Sequence, residues 1–136
     1  MKIDGVAGSS GGLYADVPYE YAAIAASGSI VFTAGACPLD ADGVVMAPGD
    51  HEEQARVAIA NLLTALAARG AGAQDLVKTT VYVVARERGD LVHVWQIVEA
   101  ALAPARPPAT LLGVGLLGYP DQLVEIEGIA SLPEAP

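Results

Sequence analysis

The stretch between Asp50 and Gly70 limits the fold most. Asp50 is a good helix N-cap, Glu53 follows three residues later as in a capping box, and Glu52 and Glu53 suit the positive helix end. Ala55, Ala58, Ile59, Leu62, Leu63 and Leu66 then recur on one helical face, and Gly70 after Arg69 supplies a stop. A helix with a single apolar stripe must lay it against another layer. The rest of the chain predicts that layer to be a sheet. Residues 77–85 (VKTTVYVVA) are rich in β-branched side chains, with Val77, Thr79, Val81 and Val83 on one face and Lys78, Thr80, Tyr82 and Val84 on the other. Further strands are expected at 110–114 and 123–130, around a turn at Gly118, Tyr119, Pro120 and Asp121. Two apolar runs, 21–26 and 29–34, flank Ser27-Gly28 and read as a hairpin. A second helix is expected after Asp90, with Leu91, Val94, Trp95, Val98 and Leu102 on one side, ended by Pro104 and the Pro107-Pro108 pair. The order β-hairpin-α-β-α-β-β predicts an α+β fold with two helices on one face of one sheet.

A chain of 136 residues buries about two-thirds of its extended surface, enough for one core and too little for two. With 53% hydrophobic and 17% charged residues it is not a disordered chain. The longest apolar stretch, residues 109–118, holds three glycines and is far short of the roughly twenty residues a membrane span needs. The opening residues carry no apolar core of a secretory signal. The net charge of −9 and the pI of 4.4 leave no basic stripe for phosphates, so neither nucleic acid nor a membrane surface is expected as a partner. The single cysteine, Cys37, cannot form an internal disulfide, which fits a cytoplasmic location. So apolar a small domain points to a homo-oligomer. The expected division is a flexible arm over 1–16, a domain over 17–131 and a tail over 132–136.

Glu125 and Glu127 are the sharpest polar signal. Two apart in a strand, they share a face, opposite Val124 and Ile126. Such a carboxylate can serve as a general acid or base, or simply form a solvated strand face. Cys37 lies in Gly35-Ala36-Cys37-Pro38, and neither His51 nor His93 is spaced to activate it, so it reads as a packed thiol. Neither histidine has a second ligand at i+3 or i+4, so no metal site is expected. Trp95 falls on the apolar stripe of the second helix. The glycine-dense stretches 8–12 and 113–118 lack the strand, helix and Lys of a phosphate loop.

Several segments together resemble the RidA family, the YjgF-type proteins often labelled endoribonuclease L-PSP. They are Val17-Pro18-Tyr19, the run Ile30-Val31-Phe32-Thr33-Ala34-Gly35 with Pro38-Leu39-Asp40, Gly49-Asp50, Glu53-Gln54-Ala55-Arg56 and Asn61-Leu62. The run from Asp75 through Val83 and the run from Leu123 through Ala130 match best. The resemblance covers residues 17–131 and implies a chorismate-mutase-like fold with a single mixed sheet, assembled as a homotrimer. It also implies small-molecule pockets in the clefts between subunits. There, in members with deaminase activity, an Arg holds the carboxylate of a 2-imino or 2-enamino acid. A Glu in the last strand holds the water that attacks the imine carbon, with no metal and no cofactor.

Carried over by position, Glu125 matches the water-holding Glu and Tyr19 the pocket Tyr. The family's Arg falls on Ala109, with Pro104-Ala105-Arg106 offering a competing register. The pocket Asn falls on Trp95 and a pocket Ser on Ala34. Gly35, Ala36 and Thr110 complete the implied substrate wall. Three polar positions have become apolar or small, which implies a pocket rebuilt for another ligand. Three functions follow from the resemblance: an enamine or imine hydrolase using Glu125, a ligand-binding or regulatory trimer without turnover, and an RNA-cleaving translation inhibitor. The charge of −9 weighs against the last.

Overall fold

A computed structural model of the chain describes residues 11–135, so most of the arm expected over 1–16 lies outside the described residues. The elements run β1 (Gly28–Phe32), α1 (His51–Ala67), β2 (Leu76–Val83), α2 (Arg88–Leu102), β3 (Ala109–Gly113) and β4 (Val124–Pro133). One sheet has the order β1-β4-β2-β3. The β1/β4 and β4/β2 pairs are antiparallel. The β2/β3 pair is parallel, so α2 serves as the crossover that a parallel pair requires. This is the mixed sheet with two helices that the sequence predicts.

The helix pattern closes the core as its spacing requires. Asp50 accepts the N–H of Glu53 at 3.0 Å, and Gly70 takes the left-handed conformation (φ +77°) just beyond the last turn. Ala55, Ala58, Ile59, Leu62 and Leu66 of α1 and Val94, Val98 and Leu102 of α2 are buried against Val81, Val83, Val124, Ile126 and Ala130 of the sheet. Strand alternation sends the other set outward: Lys78, Thr80 and Tyr82 pair with Ile129, Glu127 and Glu125 on the face away from the helices. Phe32, opposite Ile129, is 73% exposed there.

Three details depart from the sequence reading. The hairpin does not form, because residues 21–26 are not a strand and β1 has no partner on its outer side among the described residues. Ala22, Ala23, Ala25 and Ala26 offer little side chain to pack on a pleated surface. At its end the Ala26 N–H donates to Ser131 Oγ at 3.0 Å, and the chain just before it is fastened to the loop after α2. The N–H of Glu20 donates to the carbonyl of Arg106 at 3.0 Å, and the Arg106 guanidinium donates to the carbonyl of Val17. The second departure is that α2 begins at Arg88 rather than after Asp90. The Asp90 carboxylate caps from inside the first turn, accepting the N–H groups of Arg86 at 2.8 Å and Glu87 at 3.4 Å. The bond from Arg86 is the main cause that holds the Asp90 carboxyl below its ordinary range. The third is an irregularity between Leu76 and Lys78, which turns Leu76 rather than Val77 into the core.

Burial and capping predict different sensitivities. Leu62→Ala empties a fully buried site and should lower unfolding free energy by about 2–5 kcal/mol. Asp50→Ala removes one cap and should cost about 1 kcal/mol. Denaturant unfolding at matched protein concentration checks the ranking, and an equal loss from both would contradict this account of the core.

Candidate functional site

Glu125 occupies the second position of β4, opposite Tyr82 of β2. What reaches it from the other side depends on a register change. Along β1 the pairing runs Val31 to Ala130 and Phe32 to Ile129, whereas the next bridge joins Ala36 to Ile126, one residue out of step. The extra residue falls at Thr33-Ala34-Gly35. There Thr33 Oγ1, instead of a backbone carbonyl, accepts the N–H of Gly128 at 2.9 Å. Beyond this bulge the chain is pinned again. Ala36 and Ile126 exchange N–H to carbonyl bonds of 2.7 and 3.0 Å, and Asn61 Nδ2 of α1 donates to the carbonyls of Cys37 and Leu39.

The consequence is close packing around one carboxylate. The Glu125 carboxylate lies so near the Gly35 backbone that a Cβ there would meet Oε2 at 2.4 Å. Cys37 Sγ donates to Glu125 Oε1 at 3.2 Å, and Gln122 Nε2 donates to the same oxygen at 3.3 Å. Gln122 is buried, its amide also donating to the Val124 carbonyl and accepting the N–H of Tyr119. Burial first, then the hydrogen bond and charge of Glu125, push the Cys37 thiol up to about 11. Cys37 is therefore a protonated donor near neutral pH, in keeping with a packed thiol rather than a nucleophile. His51 Nε2 instead lies 2.8 Å from the Val84 carbonyl, and His93 lies on the surface beside Glu52. The neighbouring Glu127 carboxylate accepts from the Tyr82 hydroxyl at 2.6 Å, and that bond is the main cause raising the Tyr82 phenol above its ordinary value.

A second group of the residues singled out in the sequence gathers elsewhere. Tyr19, Trp95, Ala109 and Thr110, with Pro18 and Leu111, line a hollow of about 450 Å³ beside the β3 edge of the sheet. It is walled by aromatic and aliphatic groups and carries no charged side chain. Trp95 Nε1 is buried without a hydrogen-bond partner. Arg106 is not part of this wall. It fastens Val17 and lines a separate recess with Glu20, Gln74 and the prolines that follow α2. Gly35 lies against Glu125 instead, Ala36 bridges the adjacent Ile126, and Ala34 falls in the bulge before them. Ala109 is level with Gly128 across β2, three residues from Glu125 along the strands and two strands away. That is about 10 Å in each direction. Within one chain the expected pocket is thus split in two.

Sequence reasoning gave no role to Gln122, nor to the Cys37–Glu125 bond, which joins residues 88 apart. Gln54 was also without one. Fully buried, it accepts the N–H of Leu123 at 2.7 Å and donates to the carbonyl of Asp121 at 2.9 Å, fixing the entry into β4. The one signal available beforehand was a polar residue on the buried face of a helix. Among the described residues no three His, Cys, Asp or Glu side chains gather as metal ligands, and no helix is long and apolar enough to cross a membrane.

Known proteins share this chain's sequence pattern and fold. The family model described as endoribonuclease L-PSP matches residues 12–132. A RutC family protein of Synechocystis is 38% identical over 121 residues, covering 85% of this chain and 87% of the relative. A RutC family protein of Pyrococcus abyssi is 30% identical over 103 residues, covering 76% and 79%. Among solved structures, the Rid family protein YyfB of Yersinia pestis has a TM-score of 0.79 at 29% identity, covering 85% of this chain and 87% of that one. E. coli TdcF, solved with bound serine, has a TM-score of 0.67 at 26% identity, covering 85% and 89%. On matches that span nearly its whole length, this chain belongs to the endoribonuclease L-PSP family of RidA and YjgF-type proteins.

Proposed function

We propose that this protein is a small-molecule hydrolase of C=N bonds, with Glu125 as its acid–base residue. The observation that carries the reading is the Glu125 carboxylate itself. Its Oε1 takes two hydrogen bonds, while Oε2 lies against the side-chain-free Gly35. In this reading Oε2 takes a proton from water as the water oxygen bonds to the imine carbon. The proton passes to the nitrogen to give a carbinolamine, whose hydroxyl proton then moves to the nitrogen as the C–N bond breaks, so that a carbonyl compound and ammonia leave. No metal or cofactor enters the reaction as written. The single cysteine supports a cytoplasmic setting.

The site becomes whole by association. The Glu125 cluster and the Tyr19–Trp95–Ala109 hollow belong to different parts of one sheet, and the helix-free face shows Ile30 and Phe32 on β1 and Leu112 on β3. Head-to-tail contact between copies would cover this face and bring one copy's hollow to its neighbour's Glu125. A homotrimer with the substrate between subunits is the assembly that family resemblance supports. Serine bound to TdcF supports a small amino-acid-like ligand. A binding or regulatory trimer is the second reading, favoured by the uncharged hollow where a carboxylate anchor is expected. RNA cleavage has against it the −9 charge.

Ammonia release from a panel of imines and enamines tests the reading. Glu125→Gln should abolish turnover, and Glu127→Gln should lower it far less, with both variants sedimenting at three times the 13.8 kDa chain mass. Full activity in Glu125→Gln would move the chemistry elsewhere, and a stable monomer would remove the shared pocket. A methyl group at position 109 gives no fork for a substrate carboxylate. Charge-assisted bonds of that kind are worth roughly 1.5–3 kcal/mol, so Ala109→Arg should speed 2-aminoacrylate hydrolysis about ten- to a hundredfold. Robust wild-type turnover of 2-aminoacrylate, not exceeded by Ala109→Arg, would contradict the anchor argument.

A further inference from the structure

We propose that Cys37 and Gln122 are positioning residues that clamp Oε1 of Glu125, leaving Oε2 as the oxygen that handles water. The inference rests on the acid–base reading of Glu125. Its basis is a juxtaposition of residues from three segments. The bridge between Ala36 and Ile126 makes Cys37 and Glu125 the next cross-strand pair, and Asn61 holds the Cys37 carbonyl so that the thiol stays in register. Cys37 Sγ stands 3.2 Å from Oε1 and 3.6 Å from the Gly35 carbonyl. A thiol has one proton, and the shorter, charged acceptor takes it. Gln122, buried at the entry to β4, reaches the same oxygen at 3.3 Å with the amide nitrogen whose other bond, to the Val124 carbonyl at 3.1 Å, holds it there.

The two donors act on one oxygen only, and that asymmetry has a consequence. A carboxylate free to rotate about its last bond presents either oxygen to a substrate. One held through Oε1 presents Oε2 alone, in a fixed direction. The thiol suits this task because burial and the nearby carboxylate keep it protonated, so it remains a donor across the neutral range. Cys37 makes no bond to substrate in this scheme and undergoes no covalent change.

The test uses the single cysteine as its own reporter. The S–H stretch falls in a spectral window free of other protein bands, so infrared or Raman spectra of the full chain read Cys37 without a label. In wild type the band should lie at the lowered frequency of a bonded thiol and rise in Glu125→Gln, where a neutral acceptor replaces the charged one. In ammonia-release assays, Cys37→Ala should lower kcat about three- to tenfold with KM little changed, and Cys37→Ser, which restores a hydroxyl donor, should recover most of the loss. An S–H band that does not move in Glu125→Gln overturns the clamp, as does a Cys37→Ala variant with wild-type kcat. If the band shifts but wild type releases no ammonia from any imine or enamine tried, the acid–base reading fails while the clamp stands.

Discussion

The structure depends on the antiparallel ladder between β2 and β4. It pairs Val83 with Val124 and Val81 with Ile126 on the helix side, and Tyr82 with Glu125 and Thr80 with Glu127 on the other. Because the strand repeat is two residues, burying the first set obliges the second set outward. Glu125 cannot be moved to the core without turning Val124 and Ile126 into solvent. The hydrophobic effect acting on one face therefore fixes the position of the carboxylates on the other, long before any ligand is involved.

Around that ladder, small polar contacts set how Glu125 is held. Gln54 and Gln122 are both buried and both hydrogen-bonded, and they hold the entry to β4 from α1 and from the preceding turn. The bulge after β1 then delivers Gly35 and Cys37 to the same carboxylate. Glu127, on the same face, instead accepts from the Tyr82 hydroxyl. Two acids of one type, two residues apart, thus sit in different surroundings. The hollow at β3 lies well apart from them, which is why the proposed chemistry calls for a second copy of the chain.

Much of the fold was legible in the sequence for identifiable reasons. The α1 stripe of Ala55, Ala58, Ile59, Leu62 and Leu66 is a strong 3.6-residue signal, and the β-branched run of β2 is nearly as clear. The alanine-rich run at 21–26 misled because apolar composition was read as strand propensity, and alanine contributes hydropathy without packing surface. The start of α2 shifted because Asp90 caps from within the first turn instead of from outside it. For the site, Tyr19, Trp95, Ala109 and Thr110 do share one hollow, and Gly35 does meet Glu125. Arg106 fastens Val17 instead. The Cys37 contact was out of reach, since it follows from a one-residue change of register that no local pattern encodes, and the Gln122 contact depends on how the turn before β4 is held.

The central claim is that the position of the Glu125 carboxylate, and not merely its presence, gives this site its chemistry. Gly35→Ala tests it most directly. The nearest atoms the new methyl group would meet all belong to the Glu125 side chain, from Cγ outward, so the fold should survive while Glu125 swings away. Measured side by side with wild type, this variant should unfold at nearly the same denaturant midpoint and release little or no ammonia. A stably folded Gly35→Ala protein with wild-type turnover would contradict the account.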